Sequence, residues 1–200
     1  MPDFNSAEYW SSRYRSGGNS GTGSYGRLAT FKSEILNNFV KKHALDTVIE
    51  FGCGDWNQLS LAQYPHYLGF DVAPESIELC NSTFSHKPIY QFKHMREYQG
   101  QTAQLALSLD VVYHLTEDEV FHDYMSALLD SSQQFVIIYS SNLEMPRNMH
   151  VKHRRFMRWI DENRPGFELV KQINNPYPGD NHLEYESFSD FYIFEKTENN

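Results

Sequence analysis

The chain has 200 residues, of which 40% are hydrophobic, and a formal net charge of −9 at pH 7. This length is enough for one domain with a buried core and leaves little for a second domain. The acidic charge argues against a general nucleic-acid-binding surface, since phosphate backbones are bound by clustered positive charge.

The N-terminal residues differ in character from the rest of the chain. Tyr9, Trp10 and Tyr14 are spaced to share one face of a short helix, and residues 16–26 are almost entirely glycine, serine, asparagine and threonine. We therefore expect a helix and a Gly/Ser loop over residues 1–26 and one compact domain over residues 27–200. Two interpretations stay open: a lid over a binding site, or a helix packed on the sheet edge, because aromatic residues at helical spacing usually belong to a core.

Residues 47–55, TVIEFGCGD, run from a short apolar strand into a glycine-spaced turn. Gly52 and Gly54 lack β-carbons, so the backbone can take unusual dihedral angles and a ligand can approach the main chain closely. The third glycine of a dinucleotide fingerprint is absent. The carboxylate of Glu50 would repel a phosphate at this turn but would suit a cationic ligand.

A second unit follows at the expected distance. Tyr67–Phe70 is another short apolar strand, and Asp71 comes at its end, where a carboxylate can accept hydrogen bonds from a ribose. Together the two turns indicate a ligand that contains adenosine and carries positive charge. S-adenosylmethionine, with its ammonium and sulfonium groups, is such a ligand.

Short apolar runs alternate with amphipathic segments along the whole chain, which predicts an α/β fold. The predicted strands are Thr47–Phe51, Tyr67–Phe70, Pro88–Phe92, Leu105–Leu109, Phe135–Tyr139, Glu168–Ile173 and Asp190–Phe194. The predicted helices are Leu28–His43, Asn57–Gln63, Pro74–Phe84, Glu117–Leu129 and Val151–Asn163. Thr116 and Glu119 have the spacing of a capping box at the start of the fourth helix.

Four segments carry a resemblance to a known family. VIEFGCGD (48–55) and YLGFDVAPESIELC (67–80) resemble the first two motifs of class I S-adenosylmethionine-dependent methyltransferases, and LALSLDVVYHL (105–115) and FVIIYSSN (135–142) resemble the fourth and fifth strands. The resemblance implies a three-layer Rossmann-like sandwich, with a seven-stranded, mostly parallel sheet, an antiparallel last strand and an N-terminal lid helix. Trp56 departs from the glycine often found at its position in the family.

The resemblance also implies a methyl donor, S-adenosyl-L-methionine, and its product, S-adenosyl-L-homocysteine. The expected cofactor-binding residues are Trp10, Tyr14, Glu50, Gly52, Cys53, Gly54, Asp71, Val72 and Asp110. In the lid interpretation, the rings of Trp10 and Tyr14 cover the sulfonium by cation–π contact and exclude water. Met95 is a candidate contact for the adenine ring, although methionine is more often core filler.

Methyl transfer is an in-line displacement, so a base is needed only where the nucleophile carries a removable proton. Ligands of open α/β sheets bind at the C-terminal ends of the strands, and His114 follows the fourth strand there. We predict His114 as the catalytic base, with His150 as a second candidate; the alternative for His114 is a hydrogen bond to the backbone alone. The expected substrate-binding residues are Tyr113, Tyr139, Asn142, His153 and Arg154.

Residues 150–158, HVKHRRFMR, carry the densest positive charge of the chain. His150, His153 and Arg154 would suit an anionic group of the acceptor, for which the guanidinium fork is well shaped. The alternative is a solvated helix face with Phe156 and Trp159 turned to the core. His150 and His153 lack a third ligand at convincing spacing, so we predict no metal site.

The sequence contains few features that indicate a cellular compartment. No apolar run is long enough to span a bilayer, and the N-terminus has no basic segment leading into an apolar one, so we expect a soluble, cytoplasmic protein without a membrane partner. Cys53 and Cys80 do not form the pattern of a disulfide framework, and we expect both thiols to be reduced.

These patterns predict a methyltransferase that acts on a small-molecule or sugar-containing metabolite, with nucleic acid ranked low because of the acidic charge. The sequence leaves the acceptor atom and the oligomeric state open. A nicotinamide-dependent oxidoreductase would use the same strand, turn and ribose carboxylate, but the missing third glycine argues against it. The other alternative is a non-catalytic module that binds a cofactor or a partner with the same fold.

Overall fold

The regular elements follow the alternation of apolar runs and amphipathic segments in the sequence. The structure is a computed structural model that describes residues 4–145, 150–179 and 186–197. Its helices are α1 (Ser6–Arg15), α2 (Gly26–Lys42), α3 (Asn57–Ser60), α4 (Pro74–Thr83), α5 (Asp118–Asp130) and α6 (Phe156–Asn163). Its strands are β1 (Thr47–Phe51), β2 (His66–Asp71), β3 (Tyr90–His94), β4 (Ala103–Leu109), β5 (Ser132–Ser140), β6 (Phe167–Ile173) and β7 (Asp190–Lys196).

The strands form one seven-stranded sheet in the order β3-β2-β1-β4-β5-β7-β6. Strands β1 to β5 pair in parallel, and β7 pairs antiparallel with both β5 and β6. The predicted mostly parallel sheet with an antiparallel last strand is therefore confirmed. The chain continues from β1 to β2 on one side and returns to β4 on the other, and such a switch point leaves a crevice at the C-terminal strand ends.

Two apolar cores cover the two faces of the sheet, because successive side chains of a strand point in opposite directions. Val48 faces the core that contains residues of α2, α3 and α4. Its neighbour Ile49 faces the core that contains residues of α5 and α6. Leu105 and Ala106 on β4 divide between the cores in the same way. The result is the predicted three-layer sandwich.

Two predicted helices are clearly shorter in the structure. The sequence predicts Asn57–Gln63, but α3 ends at Ser60. The sequence predicts Val151–Asn163, but α6 begins only at Phe156. The backbone N–H of Lys152 donates to a carbonyl oxygen of the loop between β4 and α5 at 2.8 Å, and the Arg154 guanidinium donates to two more at 3.1 and 3.2 Å. These tertiary hydrogen bonds hold the segment before α6 against that loop instead of in a helical turn.

The predicted capping box at the start of α5 is wrong. The N-cap residue is Glu117, whose side chain makes no hydrogen bond to the first turn of the helix. Thr116 Oγ1 instead donates to Glu117 Oε2 at 3.1 Å, and Glu117 Oε1 accepts the N–H of Ser6 at 2.7 Å. The carboxylate therefore ties the start of α1 to the start of α5. Within the described ranges, no helix has the length and apolar character needed to cross a bilayer.

Candidate functional site

A cavity of about 520 Å³ lies at the C-terminal ends of β1, β2 and β4. This volume lies within the roughly 300–1,000 Å³ of small-molecule sites. Every residue of the expected cofactor-binding set lines it: Trp10, Tyr14, Glu50, Gly52, Cys53, Gly54, Asp71, Val72 and Asp110. The switch point of the sheet and the residues selected from the sequence thus coincide.

The turn after β1 has the backbone that its glycines permit. Gly52 and Gly54 both have positive φ, +82° and +66°, and a β-carbon at Gly54 would collide with Ser20 Oγ. Trp56 also has a left-handed φ, +80°, which costs a residue with a β-carbon roughly 1–2 kcal/mol. The turn therefore keeps the conformation that favours glycine at this position, although the residue is tryptophan.

Two carboxyl groups at the ends of neighbouring strands border the cavity. Glu50 Oε2 accepts a hydrogen bond from Tyr67 Oη at 2.7 Å, and burial raises the pKa of Glu50 to about 7, against the opposing effects of this hydrogen bond and of the Lys32 ammonium. Asp71 accepts the N–H of Gly54 at 3.0 Å and that of Ala73 at 2.9 Å. Burial raises the pKa of Asp71, while these backbone donors lower it.

Asp110 is held by an ion pair that the sequence analysis missed. It has a left-handed φ of +59°, and its Oδ2 accepts from Lys32 Nζ at 2.8 Å. Its Oδ1 accepts from Tyr113 Oη and Ser189 Oγ, each at 3.0 Å. The Lys32 side chain has 0% exposure. Strained backbone of this kind persists where surrounding contacts fix it, and it concentrates at functional sites.

Lys32 could have been found from the helical pattern. It lies four residues after Leu28 and four before Leu36, and both leucines are buried on the inner face of α2. Residues four apart share one face of a helix. A lysine within a buried apolar stripe needs a partner, and here the partner is Asp110.

Helix α1 extends over the cavity and is held at its start by the Ser6–Glu117 hydrogen bond and in its C-terminal half by Glu75. Ser11 Oγ donates to Glu75 Oε2 on α4 at 2.8 Å, and Arg15 forms an ion pair with Glu75 at 3.0 Å. Trp10 and Tyr14 project from α1 to line the cavity. The Trp10 ring meets the His114 ring edge to face, with centroids 4.9 Å apart.

The loop after α1 is fastened to the glycine turn by Asp55, another residue that the sequence analysis did not select. Ser20 N–H donates to Asp55 Oδ2 at 2.8 Å, and Asp55 N–H donates to Ser20 Oγ at 2.9 Å. Tyr25 Oη donates to the same Oδ2 at 2.8 Å. We call these three bonds the Asp55 clasp.

Replacement of Asp55 by alanine is expected to open this loop. The Ser20 N–H and the Tyr25 hydroxyl lose their buried acceptor. Charged hydrogen bonds of this kind contribute about 1.5–3 kcal/mol each, so amide exchange in residues 16–24 accelerates by about a hundredfold. Tyr25→Phe removes one of the two bonds and gives a smaller acceleration. Exchange rates within threefold of wild type in Asp55→Ala would contradict the clasp.

The geometry at His114 fixes its tautomer. Its Nδ1 lies 3.0 Å from the carbonyl oxygen of His150, and because a carbonyl only accepts, Nδ1 carries the proton and Nε2 the lone pair. Burial lowers the pKa of His114 to about 4, and this hydrogen bond opposes the shift. The ring is therefore neutral at physiological pH, and His114 lines the cavity.

The other predicted site residues do not line the cavity: Tyr113, Tyr139, Asn142, His150, His153 and Arg154. Tyr113 contacts Asp110. Tyr139 is fully buried, and the Lys32 ammonium lies 5.3 Å from its ring centroid. Asn142 Oδ1 accepts the N–H of Met157 at 3.2 Å.

The basic segment before α6 makes contacts beside the cavity. The rings of His150 and Tyr9 are stacked with centroids 4.9 Å apart, and His153 Nδ1 lies 2.6 Å from Ser141 Oγ. Arg154 pairs with Asp118 at 2.6 Å. The hydrogen bonds from Lys152 and then from Arg154 lower the pKa of the Asp118 carboxyl to about 2. In the described part of the chain, no group of three or more His, Cys, Asp or Glu side chains is arranged to hold a metal ion.

Comparisons with known proteins find likeness in structure alone. No protein-family model and no curated protein sequence matches the chain. The N-methyltransferase NodS from Bradyrhizobium japonicum WM9, in complex with S-adenosyl-L-homocysteine, superposes with a TM-score of 0.74 at 13% identity, covering 97% of this chain and 100% of that one. Magnesium protoporphyrin IX methyltransferase (ChlM) from Synechocystis PCC 6803, with bound SAH, gives 0.68 at 14% identity, over 96% and 98% of the two chains.

A third solved structure is that of an RNA methyltransferase. The small RNA methyltransferase HEN1 superposes with a TM-score of 0.61 at 17% identity, over 86% of this chain and 25% of that one. The names of these three proteins give different substrates, so the likeness shows the fold and not the acceptor. The protein has the Rossmann-like fold of the class I methyltransferases.

Proposed function

We propose that the protein is an S-adenosylmethionine-dependent methyltransferase with a small-molecule or sugar-containing acceptor. The observation that carries this proposal is the meeting of Glu50, Asp71 and the glycine turn in one cavity beneath α1. Structures of the same fold contain S-adenosylmethionine or its demethylated product. The net charge of −9 favours a small acceptor over a nucleic acid.

The charge of the cavity fits this cofactor better than a dinucleotide. Its charged lining residues among those described are the carboxyl groups of Glu50, Asp55, Asp71, Asp110, Glu117 and Asp123 and the single ammonium of Lys32. A pyrophosphate needs an electropositive cradle, whereas a sulfonium is attracted to this excess of carboxylates. The cavity therefore supports the methyl donor over the nicotinamide alternative.

The carboxylate of Asp71 can hold the ribose without releasing the turn. Each of its oxygens accepts one backbone N–H, and a carboxylate oxygen has a second lone pair for a further donor. Val72, Met95 and Tyr98 line the cavity on the side of β2 and β3, where we place the adenine ring. Trp10 and Tyr14 would then cover the sulfur of the cofactor and exclude water, and α1 and its loop would act as a lid.

S-adenosylmethionine supplies a methyl group on a positively charged sulfur. The chain aligns an acceptor with that group and keeps the site dry. His114 lines the cavity, so its unprotonated Nε2 would take the proton of a hydroxyl or amine nucleophile as the new bond forms. The Nδ1 hydrogen bond to the His150 carbonyl holds the ring in the required orientation.

The tautomer of His114 can be measured directly. In protein labelled with ¹⁵N-histidine, we expect His114 to stay neutral with Nδ1 protonated from pH 5 to 8, because its pKa is lowered to about 4. Its signal is assigned by its disappearance in His114→Gln. A proton on Nε2 of the neutral ring would remove His114 as the base, because that nitrogen would then have no lone pair for a proton.

Calorimetry with three ligands tests the proposed function. Wild-type protein is expected to bind S-adenosylmethionine and S-adenosylhomocysteine and not NAD⁺. Binding of NAD⁺ alone would favour the oxidoreductase, and absence of all binding would overturn the proposal. A lysate supplied with labelled methyl donor then separates an enzyme from a non-catalytic module, since only the enzyme transfers label to an acceptor.

A further inference from the structure

Four aromatic rings from three separate segments meet beside the cavity. Tyr9 and Trp10 belong to α1, His114 follows β4, and His150 precedes α6. Each ring contacts two others: the centroid distances are 4.9 Å for Tyr9–His150, 5.6 Å for His150–His114, 4.9 Å for His114–Trp10 and 5.5 Å for Trp10–Tyr9. We call these four residues the ring cluster. It joins α1 to the loop that carries the proposed base.

The ring of His150 is stacked with two members of this cluster. Its plane is inclined by 13° to that of His114 and by 15° to that of Tyr9. Stacked aromatic pairs stabilise a structure beyond the area that they bury. His150 therefore connects a ring of α1 with the ring of the proposed base.

The backbone around His150 holds the base as well. The carbonyl oxygen of His150 accepts the Nδ1 hydrogen bond of His114 at 3.0 Å, and the N–H of Lys152 donates to the carbonyl oxygen of Tyr113 at 2.8 Å. Residues 150–152 and residues 113–114 are thus fastened side by side at two points. A displacement of the His150 ring consequently changes the surface against which the His114 imidazole is oriented.

The ring cluster also affects the charge of His114. Burial is the main cause of the lowered pKa of this imidazole; the His150 ring and Arg13 of α1 add to the effect, and the His150 carbonyl and Asp110 oppose it. Trp10 supplies part of the covering surface from α1. If α1 lifts, water reaches the imidazole, and its pKa rises towards the ordinary value of 6.5.

We propose that His150 is a positioning residue that couples the position of α1 to the state of the base. With α1 over the cavity, the ring cluster keeps the His114 imidazole neutral and oriented for the acceptor proton. With α1 lifted, the cluster opens and His114 loses both properties. The inference rests on the proposed function, and it makes the base ready only when α1 covers the cofactor.

Two substitutions of His150 test the positioning role. In protein without ligand, ¹⁵N-histidine NMR gives the pKa of His114, and amide exchange gives the opening of residues 9–15. His150→Ala keeps the carbonyl and loses the ring, so we expect the pKa of His114 to rise from about 4 by about one pH unit or more and exchange in α1 to accelerate by about fivefold. His150→Phe restores a ring and should return both values to those of wild type. The control His86→Ala removes an exposed histidine and should change neither.

Substitution of Tyr9 tests the coupling, because Tyr9 is separated from His114 by one ring of the cluster. In Tyr9→Leu, we expect the pKa of His114 to rise in the same direction and by less than in His150→Ala. Tyr9→Phe keeps the ring and loses only the hydroxyl that accepts from Arg13 at 3.3 Å, so it should leave the pKa of His114 unchanged. A shift in His150→Ala without any shift in Tyr9→Leu would overturn the coupling.

Calorimetry separates a failure of this inference from a failure of the proposed function. His150 does not line the cavity, so His150→Ala should bind S-adenosylhomocysteine within about threefold of wild type. If wild type binds this ligand but neither His150→Ala nor Tyr9→Leu changes the pKa of His114, the inference falls and the proposed function stands. An ordinary pKa of His114 in wild type would also overturn the inference. If wild type binds no S-adenosyl ligand, the proposed function falls, and the role of the ring cluster falls with it.

Discussion

Replacement of Asp71 by alanine is expected to weaken binding of S-adenosylmethionine by about a hundredfold or more. The proposed ribose contacts are lost, and each hydrogen bond to a charged acceptor contributes about 1.5–3 kcal/mol. The Gly54 N–H, which donates to Asp71 Oδ2 at 3.0 Å, also loses its acceptor, so the turn that faces the ligand is less well ordered. Binding is measured by calorimetry, and folding by the thermal transition of each variant.

The matched control is Asp46→Ala. Asp46 precedes β1 at the opposite edge of the sheet, and its side chain is 66% exposed, so its removal should leave affinity within twofold of wild type. Asp71→Asn keeps one accepting oxygen and removes the charge, and we expect an intermediate loss. Affinity within threefold of wild type in Asp71→Ala would contradict the assignment of Asp71 to the ribose.

The sequence predicted the parts of the site that depend on neighbouring residues. Gly52 and Gly54 lie in the turn after β1, and Asp71 ends β2. In a parallel sheet the C-terminal ends of neighbouring strands meet at one edge. Local order and one topological rule therefore brought these residues together. The same rule selected His114 after β4, and the structure places it at the cavity wall.

Contacts between distant segments could not be predicted in this way. The partner of Lys32 is 78 residues away, and Ser20 is 35 residues from Asp55. The start of α6 is decided by hydrogen bonds from Arg154 to carbonyl groups 38 and 39 residues earlier. Each of these choices depends on how helices and loops pack on the sheet, which a local pattern does not contain.

The sequence also leaves open which face of the sheet a side chain at the end of a strand lies on. The sequence predicts Tyr139 as a substrate contact because it lies at the C-terminal edge of the sheet after the fifth strand. In the structure Tyr139 shares its face of β5 with Phe135 and Ile137, and that face packs on the α2 side. A shift of one residue reverses which side chains point into a core. Tyr139 consequently packs against Phe191, with ring centroids 4.6 Å apart.

Glu50 makes cofactor binding depend on pH, and this is the second large effect that we expect. Burial raises its pKa to about 7, so the carboxyl group is about half protonated at pH 7 in the absence of ligand. A cationic ligand favours the ionised form. Affinity for S-adenosylmethionine should therefore fall as the pH decreases from 8 to 6, approaching about tenfold per pH unit below the pKa, and binding at pH 7 should release protons.

Proton release is measured from the heat of binding in buffers of different ionisation enthalpy. The nearby His114 does not contribute in this range, because its pKa is lowered to about 4. In Glu50→Gln, both the proton release and the pH dependence should disappear, and affinity at pH 8 should fall. Unchanged proton release in this variant would place the titrating group elsewhere.

The same substitution should stabilise the protein without ligand. The pKa of Glu50 is higher in the folded state, about 7, than its ordinary value of 4.5, so the folded protein binds this proton more tightly than the unfolded chain. Stability therefore decreases as the pH rises from 4.5 to 7, by roughly 3 kcal/mol for a shift of this size. Glutamine carries no charge and can still accept the Tyr67 hydrogen bond. A raised thermal transition at pH 8 together with weaker cofactor binding would identify Glu50 as a group whose buried charge destabilises the free protein and serves ligand binding. A variant that loses both stability and affinity would contradict that role.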